Sequence, residues 1–486
     1  MIVDDTVKEK PKRSFNLSFK DKKWLTLSLG LIIAIPLIGY AASGFINRDT
    51  SITSVILSTI GSDLQKDRDG YTNILALGVG GEGHEGEELT DTILVGSLHE
   101  KTGQVVMTSI PRDLYVQHDN IISQRINSVY ENVKYSQDNE TAYQTISEVA
   151  EQITGREIHY HIKIDFEGVV KIVDALGGIT IDVPETLYDP YYPGPNFTYQ
   201  TFALGKGIQD MDGETALKYV RSRKTTSDFD RSLRQQQLLF AIKEKALEGK
   251  ILKNKDKIIE LLNGIEENVE YNFDLREIIS LAAVAVDFST DKMNRLVLHN
   301  DPIFKGGFLY TPPRSQYQDA FVLLPAGNNY NLIHDYVNLH LKYPEFMQDE
   351  PPLEILNGTS ESGFARNTSL IMYRYGFNVE EIGNADHKDY VTTTIASSEG
   401  AKSDPVKALQ HIFDDAEGQE KEILEADLES FPVTITLGSD FFERFNELEV
   451  YSELIHIIQQ AEEERLRARG ELEEDDEEDT ETAPQL

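Results

Sequence analysis

The sequence predicts an α/β fold with a layered core in which helices cover a β-sheet. Three short apolar runs rich in β-branched residues, bounded by glycine or turn residues, indicate strands at 73–79, 91–98 and 104–110. Residues 99–103 fit a hairpin loop between the last two runs. Farther along, helical periodicity alternates with strand-like runs, which is typical of an α/β or α-β-α layered core.

The clearest helix prediction lies at residues 165–178. Asp165 suits an N-cap, the apolar residues that follow fall on one face, and Gly177 and Gly178 suit a helix end. Neighbouring patterns predict helices at 126–135 and 142–154 and strands at 159–164 and 179–183. Helices and strands therefore alternate throughout this part of the chain.

The second half predicts more helices and then a smaller unit. Residues 210–223 have a helical pattern up to a run of arginines, and a second helix is predicted from Asp230 to about Gly249. Residues 348–352 predict a boundary between the first domain and a smaller unit that follows it. The remaining predictions are two helical patterns with short strands at 251–345, a strand–helix–strand unit at 353–441, a charged helix at 444–469 and a disordered acidic tail at 471–486.

The N-terminus predicts a membrane anchor. Residues 24–46 carry no charge and are long enough to span a bilayer. Lysines and arginines precede this run, so the positive-inside rule places the N-terminus in the cytoplasm and the body of the protein outside. A cleaved signal peptide is the alternative, but the run is longer than an ordinary signal core. Residues 47–70 are predicted to form a stalk.

The composition limits the possible partners and chemistry. The 486 residues include 83 acidic and 46 basic side chains, a formal net charge of -37. This balance argues against a nucleic-acid-binding protein, which needs a broad basic surface to neutralise phosphates. The chain has no cysteine, which excludes disulfides, thiolate zinc sites and cysteine nucleophiles.

Against this acidic background, one segment concentrates arginines. Residues Arg231 and Arg234 are three positions apart and share a helix face with Gln235. Converging guanidinium groups suit a phosphate or pyrophosphate, which accepts bidentate hydrogen bonds. Salt bridges to nearby acidic residues are the alternative. The candidate anion ligands in this segment are Arg221, Arg223, Arg231, Arg234 and Gln235.

Polar residues also occur at the predicted strand ends, where α/β sheets commonly place functional groups. Arg112 and Asp113 follow the third strand, either as an internal ion pair or with Arg112 on a ligand. Asp91 opens the second strand and is a candidate ligand for a hard cation. Glu82 and His84 lie in the glycine-rich loop before it, whose glutamates are equally consistent with a solvated acidic loop. Neither a nucleophile elbow nor a Walker sequence is present.

Taken in order, these motifs resemble the LytR-CpsA-Psr (LCP) family. The resemblance rests on "SIPRD", "RINSVYENV", "DFEGVVKIVDALGG" and "RSR" followed by "SDFDRSLRQQQ", and it is dense over 71–250. Residues 353–441 resemble the LytR C-terminal domain. The resemblance implies an LCP-type α-β-α core with a central mixed sheet, preceded by one transmembrane helix and followed by a small α/β domain. The implied organisation is a basic cytoplasmic tail at 1–23, a transmembrane helix at 24–46, a stalk at 47–70, a catalytic domain at 71–345, a LytR C-terminal domain at 351–443, and a charged helix with an acidic tail at 444–486.

The resemblance also implies an activity. Members of this family are anchored in the bacterial cell membrane with the catalytic domain outside the cytoplasm. They transfer a glycopolymer from a polyprenyl-pyrophosphate carrier to peptidoglycan and release polyprenyl phosphate. A Mg²⁺ ion, or Mn²⁺, bridges the pyrophosphate, and no nucleic acid takes part. Carried over by motif, the catalytic residues are Asp91, Arg112 and Arg231, the metal ligand is Asp91, and the pyrophosphate ligands are Arg112, Arg125, Arg221, Arg223, Arg231, Arg234 and Gln235.

One position departs from the family pattern. Many members have a second metal-binding aspartate after the first strand, where this chain has Gly80. Glu82 or His84 are the candidates to replace it. Three other functions stay open: a phosphatase or pyrophosphatase acting on the same lipid, a non-catalytic envelope protein, and a transcriptional attenuator, which the extracytoplasmic topology and acidic surface argue against.

Overall fold

The molecule is described here by a computed structural model. It describes residues 64–450 except for 85, 120, 195–197, 223–227, 249–265, 275–276, 278–279, 282–292, 399, 401–402, 414–421 and 426–430. Within these residues no helix combines the length and apolar character needed to cross a membrane. The predicted tail, anchor and most of the stalk lie outside the described residues, as do Arg223 and the predicted acidic tail.

An N-terminal unit is formed by the strands β1–β14 and helices α1–α7. Its strands are β1 (Tyr71–Gly78), β2 (Thr92–His99), β3 (Gln104–Ser109), β4 (Tyr115–His118), β5 (Ile121–Arg125), β6 (Tyr160–Ile164), β7 (Ile179–Val183), β8 (Leu187–Pro193), β9 (Tyr199–Leu204), β10 (Gly207–Met211), β11 (Val269–Tyr271), β12 (Met293–Val297), β13 (Leu309–Tyr310) and β14 (Leu324–Pro325). Its helices are α1 (Val129–Ser136), α2 (Asn139–Thr154), α3 (Phe166–Ala175), α4 (Gly213–Arg221), α5 (Asp228–Leu247), α6 (Asn331–Lys342) and α7 (Pro344–Asp349). Short 3₁₀ helices lie at Ile126–Ser128, Arg314–Tyr317 and Ala326–Asn328.

The centre of this unit is a six-stranded mixed sheet in the order β11-β6-β1-β2-β3-β12. Strand β1 is parallel to β6 and antiparallel to β2, while β3 is antiparallel to β2 and parallel to β12. Four strands, β1, β3, β6 and β12, therefore run in one direction and end at the same edge of the sheet. The predicted central mixed sheet is confirmed.

Alternating side chains of the sheet enter two separate cores. Leu75 packs with helices α1, α2 and α6, whereas its neighbour Ile74 packs with α3, α4 and α5. Val106 and Met107 divide in the same way on β3. Because the side chains of a strand alternate between its two faces, apolar residues in succession require a cover on both sides. The predicted α-β-α layers result.

Several local predictions are confirmed. The loop between β2 and β3 is a hairpin at the expected residues. Helix α3 begins where Asp165 accepts a hydrogen bond from the Gly168 backbone NH at 2.7 Å, the expected N-cap. After the helix, Gly177 and Gly178 adopt positive φ angles of 79° and 87°, which glycine tolerates without strain.

Other local predictions need correction. The helix predicted at 210–223 is α4, which begins only at Gly213, because the chain first pairs with β7 as strand β10. Asp212 caps α4 by accepting from the Thr215 NH at 2.8 Å. Residues 64–70, assigned to a stalk, pack on the sheet: Leu64 is buried, and the Gln65 NH donates to the Tyr160 hydroxyl at 2.9 Å.

The C-terminal unit contains a second mixed sheet. Its elements are strands β15 (Pro352–Asn357), β16 (Asn378–Asn384), β17 (Thr394–Ser397), β18 (Glu422–Glu425) and β19 (Val433–Leu437), helices α8 (Phe364–Arg374), α9 (Asp404–Phe413) and α10 (Phe442–Leu448), and a 3₁₀ helix at Ser439–Phe441. The strand order is β16-β15-β19-β17-β18. The core is continuous with the N-terminal unit, since the Phe308 and Tyr375 rings lie 4.9 Å apart. The charged helix predicted from residue 444 is described only as far as α10.

Candidate active site

The candidate site lies at the sheet edge where β1, β3, β6 and β12 end and β2 begins. Such an edge collects the loops that follow several parallel strands, so residues distant in sequence meet there. The glycine-rich loop follows β1, and Asp91 directly precedes β2. Arg112 and Asp113 follow β3. The two segments, 21 residues apart, thus reach the same place, as their positions at predicted strand ends suggested.

A cavity of about 170 Å³ opens at this edge. Its polar wall contains Asp91, Arg112 and Arg231, together with Ser232 and Gln235 from helix α5. Its apolar wall is formed by Ile93, Ile110, Phe229, Phe321 and Leu323. The arrangement places two guanidinium groups and two carboxylates, those of Asp91 and Asp113, beside apolar side chains, where electrostatic interactions are less screened than in water.

Arg112 and Arg125 are held by ion pairs with Asp91 and Asp113. Arg112 Nη1 donates to Asp91 Oδ1 at 2.8 Å, and Arg112 Nε lies 3.5 Å from Asp113 Oδ2. Asp113 is buried and also accepts from Arg125 Nη1 at 3.2 Å. The expected ion pair between Arg112 and Asp113 is present. Arg112 nevertheless also lines the cavity. Both proposed roles of Arg112 are therefore compatible.

Backbone hydrogen bonds bring the Arg125 segment to the same place. The Ile126 NH donates to the Leu114 carbonyl at 2.8 Å, and the Asn127 NH donates to the Arg112 carbonyl at 3.2 Å. Arg125 ends strand β5, and its side chain remains about half exposed. It therefore lies beyond Asp113, outside the cavity wall, where an extended anion could reach it.

Helix α5 carries Arg231 and Gln235 to the cavity. The Gln236 Nε2 donates to the Ser109 hydroxyl at 2.9 Å, which fixes the helix against the end of β3. Arg231 is buried, and its Nη2 lies 3.5 Å from the Asp91 backbone oxygen. Arg231 is therefore a direct neighbour of the segment that carries Asp91, and both line the same cavity.

Arg234 is placed differently from Arg231, although both lie on α5. Its Nε donates to the Tyr219 carbonyl at 2.9 Å and its Nη2 to the Ser222 carbonyl at 2.5 Å. These are carbonyls at the C-terminal end of α4, where the last turn of a helix lacks intrahelical partners. Arg234 lines no part of the cavity. The structure thus gives it a contact that holds α4 against α5.

Arg221 belongs to a second group beside the glycine-rich loop. Its guanidinium lies 4.0 Å from the centre of the Phe166 ring and 5.8 Å from that of Tyr192. His84 meets the same Phe166 ring edge-on at 5.1 Å. Desolvation and the positive charge of Arg221 lower the pKa of His84, so its imidazole is neutral at neutral pH. Arg221 is not part of the cavity wall.

The loop that carries Asp91 is fixed by an ion-pair network that the sequence reasoning missed. Glu88 accepts from Lys134 at 2.5 Å and from the buried Lys163 at 2.8 Å. Lys163 also pairs with Glu270 at 2.8 Å. Burial alone lowers the pKa of Lys163, but its hydrogen bonds to Glu270, Glu88 and Tyr130 outweigh this and raise it. Lys163, which lies between two isoleucines in the predicted strand "HYHIKI", was the available signal in the sequence.

The donor groups fit a metal ion only if the substrate shares it. Within the described part of the chain, no cluster of three His, Asp or Glu side chains is arranged to hold an ion. Mg²⁺ commonly binds one or two carboxylates and completes its shell with water and phosphate oxygens. Asp91 on the cavity wall fits that pattern. Glu82 is exposed, and a Cβ at Gly80 would lie 3.0 Å from the His84 Cβ, so His84 occupies space next to the missing acid.

Comparisons with known proteins agree on one family for each unit. The sequence model of the LytR_cpsA_psr family matches residues 46–321, and that of the LytR cell envelope-related transcriptional attenuator matches residues 350–441.

Curated relatives and solved structures include cell-wall proteins. The polyisoprenyl-teichoic acid–peptidoglycan teichoic acid transferase TagV of Bacillus subtilis is 27% identical over 329 residues, 66% of this chain and 78% of that protein. The cell wall biosynthesis protein LcpA of Corynebacterium glutamicum is 24% identical over 395 residues, 75% of this chain and 72% of its own length. The crystal structure of B. subtilis TagV is 24% identical, with a TM-score of 0.44, and covers 57% of this chain and 99% of that structure.

Proposed function

Since the chain belongs to the LytR_cpsA_psr family, we propose that it transfers a glycopolymer from a polyprenyl-pyrophosphate carrier to peptidoglycan and releases polyprenyl phosphate. TagV of B. subtilis is named for transfer of teichoic acid from a polyisoprenyl carrier to peptidoglycan, and LcpA for cell wall biosynthesis. These names support the class of reaction, a cell-wall glycopolymer transfer. The polymer and the acceptor sugar are not specified by them.

The cavity between Asp91, Arg112 and Arg231 is the observation that carries the proposal. Two arginines line this cavity, which is large enough for phosphate groups. Guanidinium groups suit phosphate oxygens because their fork of donors matches bidentate acceptance. Gln235 adds a neutral amide to the same wall, and Arg125 lies beyond it.

The proposed reaction breaks the phosphoanhydride bond of the pyrophosphate and forms a phosphate ester bond to the acceptor. An acceptor hydroxyl oxygen attacks the phosphorus atom that bears the sugar, and the bond from that phosphorus to the bridging oxygen breaks. Polyprenyl phosphate leaves with the bridging oxygen, and the hydroxyl proton is released. Arg112 and Arg231 stabilise the negative charge that develops on the phosphate and leaving oxygens, the main requirement in phosphoryl transfer.

Asp91 has two roles in this proposal. Its carboxylate accepts a hydrogen bond from the acceptor hydroxyl and helps remove its proton, while Arg112 fixes its orientation. Asp91 would also hold a Mg²⁺ or Mn²⁺ ion together with the substrate phosphates, and Glu82 or His84 are the candidates for a further ligand. When bound, such an ion supplies positive charge to the phosphate oxygens.

The predicted anchor at residues 24–46 completes the proposal. A carrier with a polyprenyl tail stays in the membrane, so a single-pass enzyme with its catalytic unit outside the cytoplasm meets donor and cell wall together. Protease treatment of intact spheroplasts tests this topology, because only an external catalytic unit is digested without lysis.

The reaction is tested with the full-length chain in detergent, a short polyprenyl-pyrophosphate glycan, Mg²⁺ and peptidoglycan fragments. Released lipid phosphate and the mass of the acceptor are both measured. Arg231→Ala is the site variant, and Arg366→Ala is the matched control because Arg366 is exposed on α8. We expect a phosphodiester-linked glycan on the acceptor with the wild type and the control, and its loss with Arg231→Ala.

Two other outcomes have defined meanings. Lipid release without modification of the acceptor identifies a pyrophosphatase. Binding of the lipid without turnover identifies an envelope-binding protein. Gly80→Asp would then be the first variant to make, because it restores the aspartate that many family members have at this position.

A further inference from the structure

The hairpin formed by β8 and β9 has an exposed aromatic face. Tyr188, Tyr191 and Tyr199 are 51%, 57% and 71% exposed, and the last two rings meet edge-on at 6.0 Å. Along β8 the exposed tyrosines alternate with buried Leu187, Asp189 and Tyr192. The three exposed rings, hereafter the tyrosine face, therefore lie on the side away from the core. Grouped exposed aromatic rings commonly mark an interaction surface.

The chemistry of this hairpin is unlike that of the rest of the chain. Residues 187–204 contain six aromatic side chains and a single charged residue, Asp189, in a protein with a net charge of -37. Asp189 is buried and accepts a hydrogen bond from the Ser222 hydroxyl at 2.8 Å. The tyrosine face therefore presents rings and hydroxyls without charge.

A neutral ring-shaped ligand with hydroxyl groups fits such a surface. The C–H faces of a sugar ring pack against the electron-rich face of tyrosine, whose hydroxyl stays wet and can hydrogen-bond. Gln200 and Thr201 are exposed on the same hairpin and offer further polar groups. Anionic lipid headgroups are a poorer fit, since surfaces that bind them use clustered lysine and arginine.

A series of side-chain contacts connects the hairpin to the candidate active site. Its inward-facing Tyr192 lies beneath Arg221, with the guanidinium 5.8 Å from the ring centre. Asp189 holds Ser222, the next residue after Arg221. The Ser222 carbonyl in turn accepts from Arg234 on α5, the helix that lines the cavity. A ligand on the tyrosine face is thus held by the same framework that positions the proposed pyrophosphate site.

We propose that the tyrosine face binds the glycan strand of the acceptor. This inference rests on the proposed transferase function. The donor has a pyrophosphate that the arginines can hold, whereas an acceptor hydroxyl has no charged group to position it. Its neighbouring sugar rings must therefore supply the binding energy that orients the hydroxyl toward the phosphorus.

The test uses the full-length chain and an uncharged probe, a tetramer of β-1,4-linked N-acetylglucosamine. Its affinity is measured by titration calorimetry for the wild type and for Tyr188→Ala, Tyr191→Ala, Tyr199→Ala and their triple combination. Tyr135→Ala is the matched control, because Tyr135 is also exposed, at 68%, but lies on α1. We expect each hairpin substitution to weaken binding about three- to tenfold, in line with the loss of one aromatic contact.

A transfer assay separates this inference from the proposed function. If transfer occurs, the hairpin variants raise KM for the glycan acceptor and leave KM for the lipid donor unchanged. If no transfer occurs but the tetramer still requires the tyrosines, the glycan site stands and the transferase fails. Equal tetramer affinity in the triple variant and the Tyr135→Ala control overturns the inference, including the case in which the face contacts lipid or another protein.

Discussion

The two mixed sheets of this protein place buried arginines in different surroundings. In the N-terminal unit, Arg231 lines a cavity at the sheet edge together with Arg112. In the C-terminal unit, Arg374 is equally buried, but its Nη2 pairs with Glu449 at 2.8 Å and its Nε donates to the Pro302 carbonyl at 3.1 Å. Burial of an arginine is therefore not a sign of a ligand site; what its guanidinium faces decides the role.

Arg234 shows that this contrast also exists within one helix. It lies one turn after Arg231 on α5, yet its guanidinium meets carbonyl groups at the end of α4. In its contacts Arg234 resembles Arg374 more than Arg231. We therefore expect the two α5 arginines to differ when they are replaced, one affecting turnover and the other mainly stability.

The largest effect is expected from Arg231→Met, which preserves much of the side-chain volume and removes the charge. Loss of one group that stabilises developing charge commonly lowers kcat by about 10²–10³-fold. Transfer from the lipid carrier is the measurement. Arg231→Lys should recover only part of the rate, because lysine keeps the charge but lacks the planar fork.

Arg366→Met is the control for this prediction, since Arg366 is exposed on α8. The proposed difference between Arg231 and Arg374 is contradicted if Arg231→Met unfolds the N-terminal unit while leaving the rate per folded molecule unchanged. Arg231 would then be a structural arginine of the same kind as Arg374.

The next largest effect is expected from Arg374→Met, on stability. The substitution leaves Glu449 mostly buried without its partner, and breaking such a pair costs roughly 3 kcal/mol of unfolding free energy. Urea denaturation measures the loss, and hydrogen exchange shows whether it is confined to the C-terminal unit. Transfer at 25 °C should stay within about twofold of the wild type, because about 3 kcal/mol is less than the whole stability of a typical domain.

The elements were more predictable than the contacts of their side chains. The strands around Ile74 and Val106 follow from apolar runs, and α3 follows from its cap at Asp165 and its closing glycines. The last two residues of strand β10, Asp210 and Met211, were assigned to the following helix because the pairing of β10 with β7 is not encoded in local periodicity. The hairpin of β8 and β9 was not predicted, because tyrosines occupy both exposed and buried positions of β8 and the sequence therefore does not alternate between polar and apolar residues.

The candidate site shows the same limit. Asp91 and Arg112 could be placed together because both adjoin strand ends, and the structure joins them at 2.8 Å. The different directions of Arg231 and Arg234 could not be read from a shared helix face, since they depend on where α4 ends. The ion pair of Glu88 with Lys163 joins residues 75 positions apart and exists only after β6 pairs with β1.

A smaller effect is expected from Arg234→Met. Two hydrogen bonds from a charged group to α4 carbonyls are lost, and we expect the free energy of unfolding to fall by about 2 kcal/mol. Because α4 ends at Arg221, KM for the lipid donor should also rise a few-fold while kcat changes less. A fall in kcat as large as that of Arg231→Met, with unchanged stability, would instead assign Arg234 to the pyrophosphate itself.

The smallest effect concerns the junction of the two units and its dependence on pH. His340 on α6 is buried, with Nδ1 2.9 Å from the Tyr336 carbonyl, and a Cβ at Gly376 of the C-terminal unit would come within 3.2 Å of its Nε2. Burial lowers the pKa of His340 from 6.5 to about 4. Between these values the unfolded chain binds a proton that the folded chain does not, so stability falls as the pH drops from 6.5 to 4 and is unaffected above that window.

The substitution His340→Gln removes this proton linkage and retains a side chain able to hydrogen-bond. Its melting temperature should therefore fall less between pH 7 and pH 4.5 than that of the wild type, by about 2–4 °C. His387→Gln, at an exposed histidine of the C-terminal unit, is the control and should follow the wild type. If His340→Gln also follows the wild type, the acid sensitivity originates elsewhere, for instance at His161 on β6, whose pKa burial likewise lowers to about 4. The N-terminal unit, and not its junction with the C-terminal unit, would then be the first part to lose stability in acid.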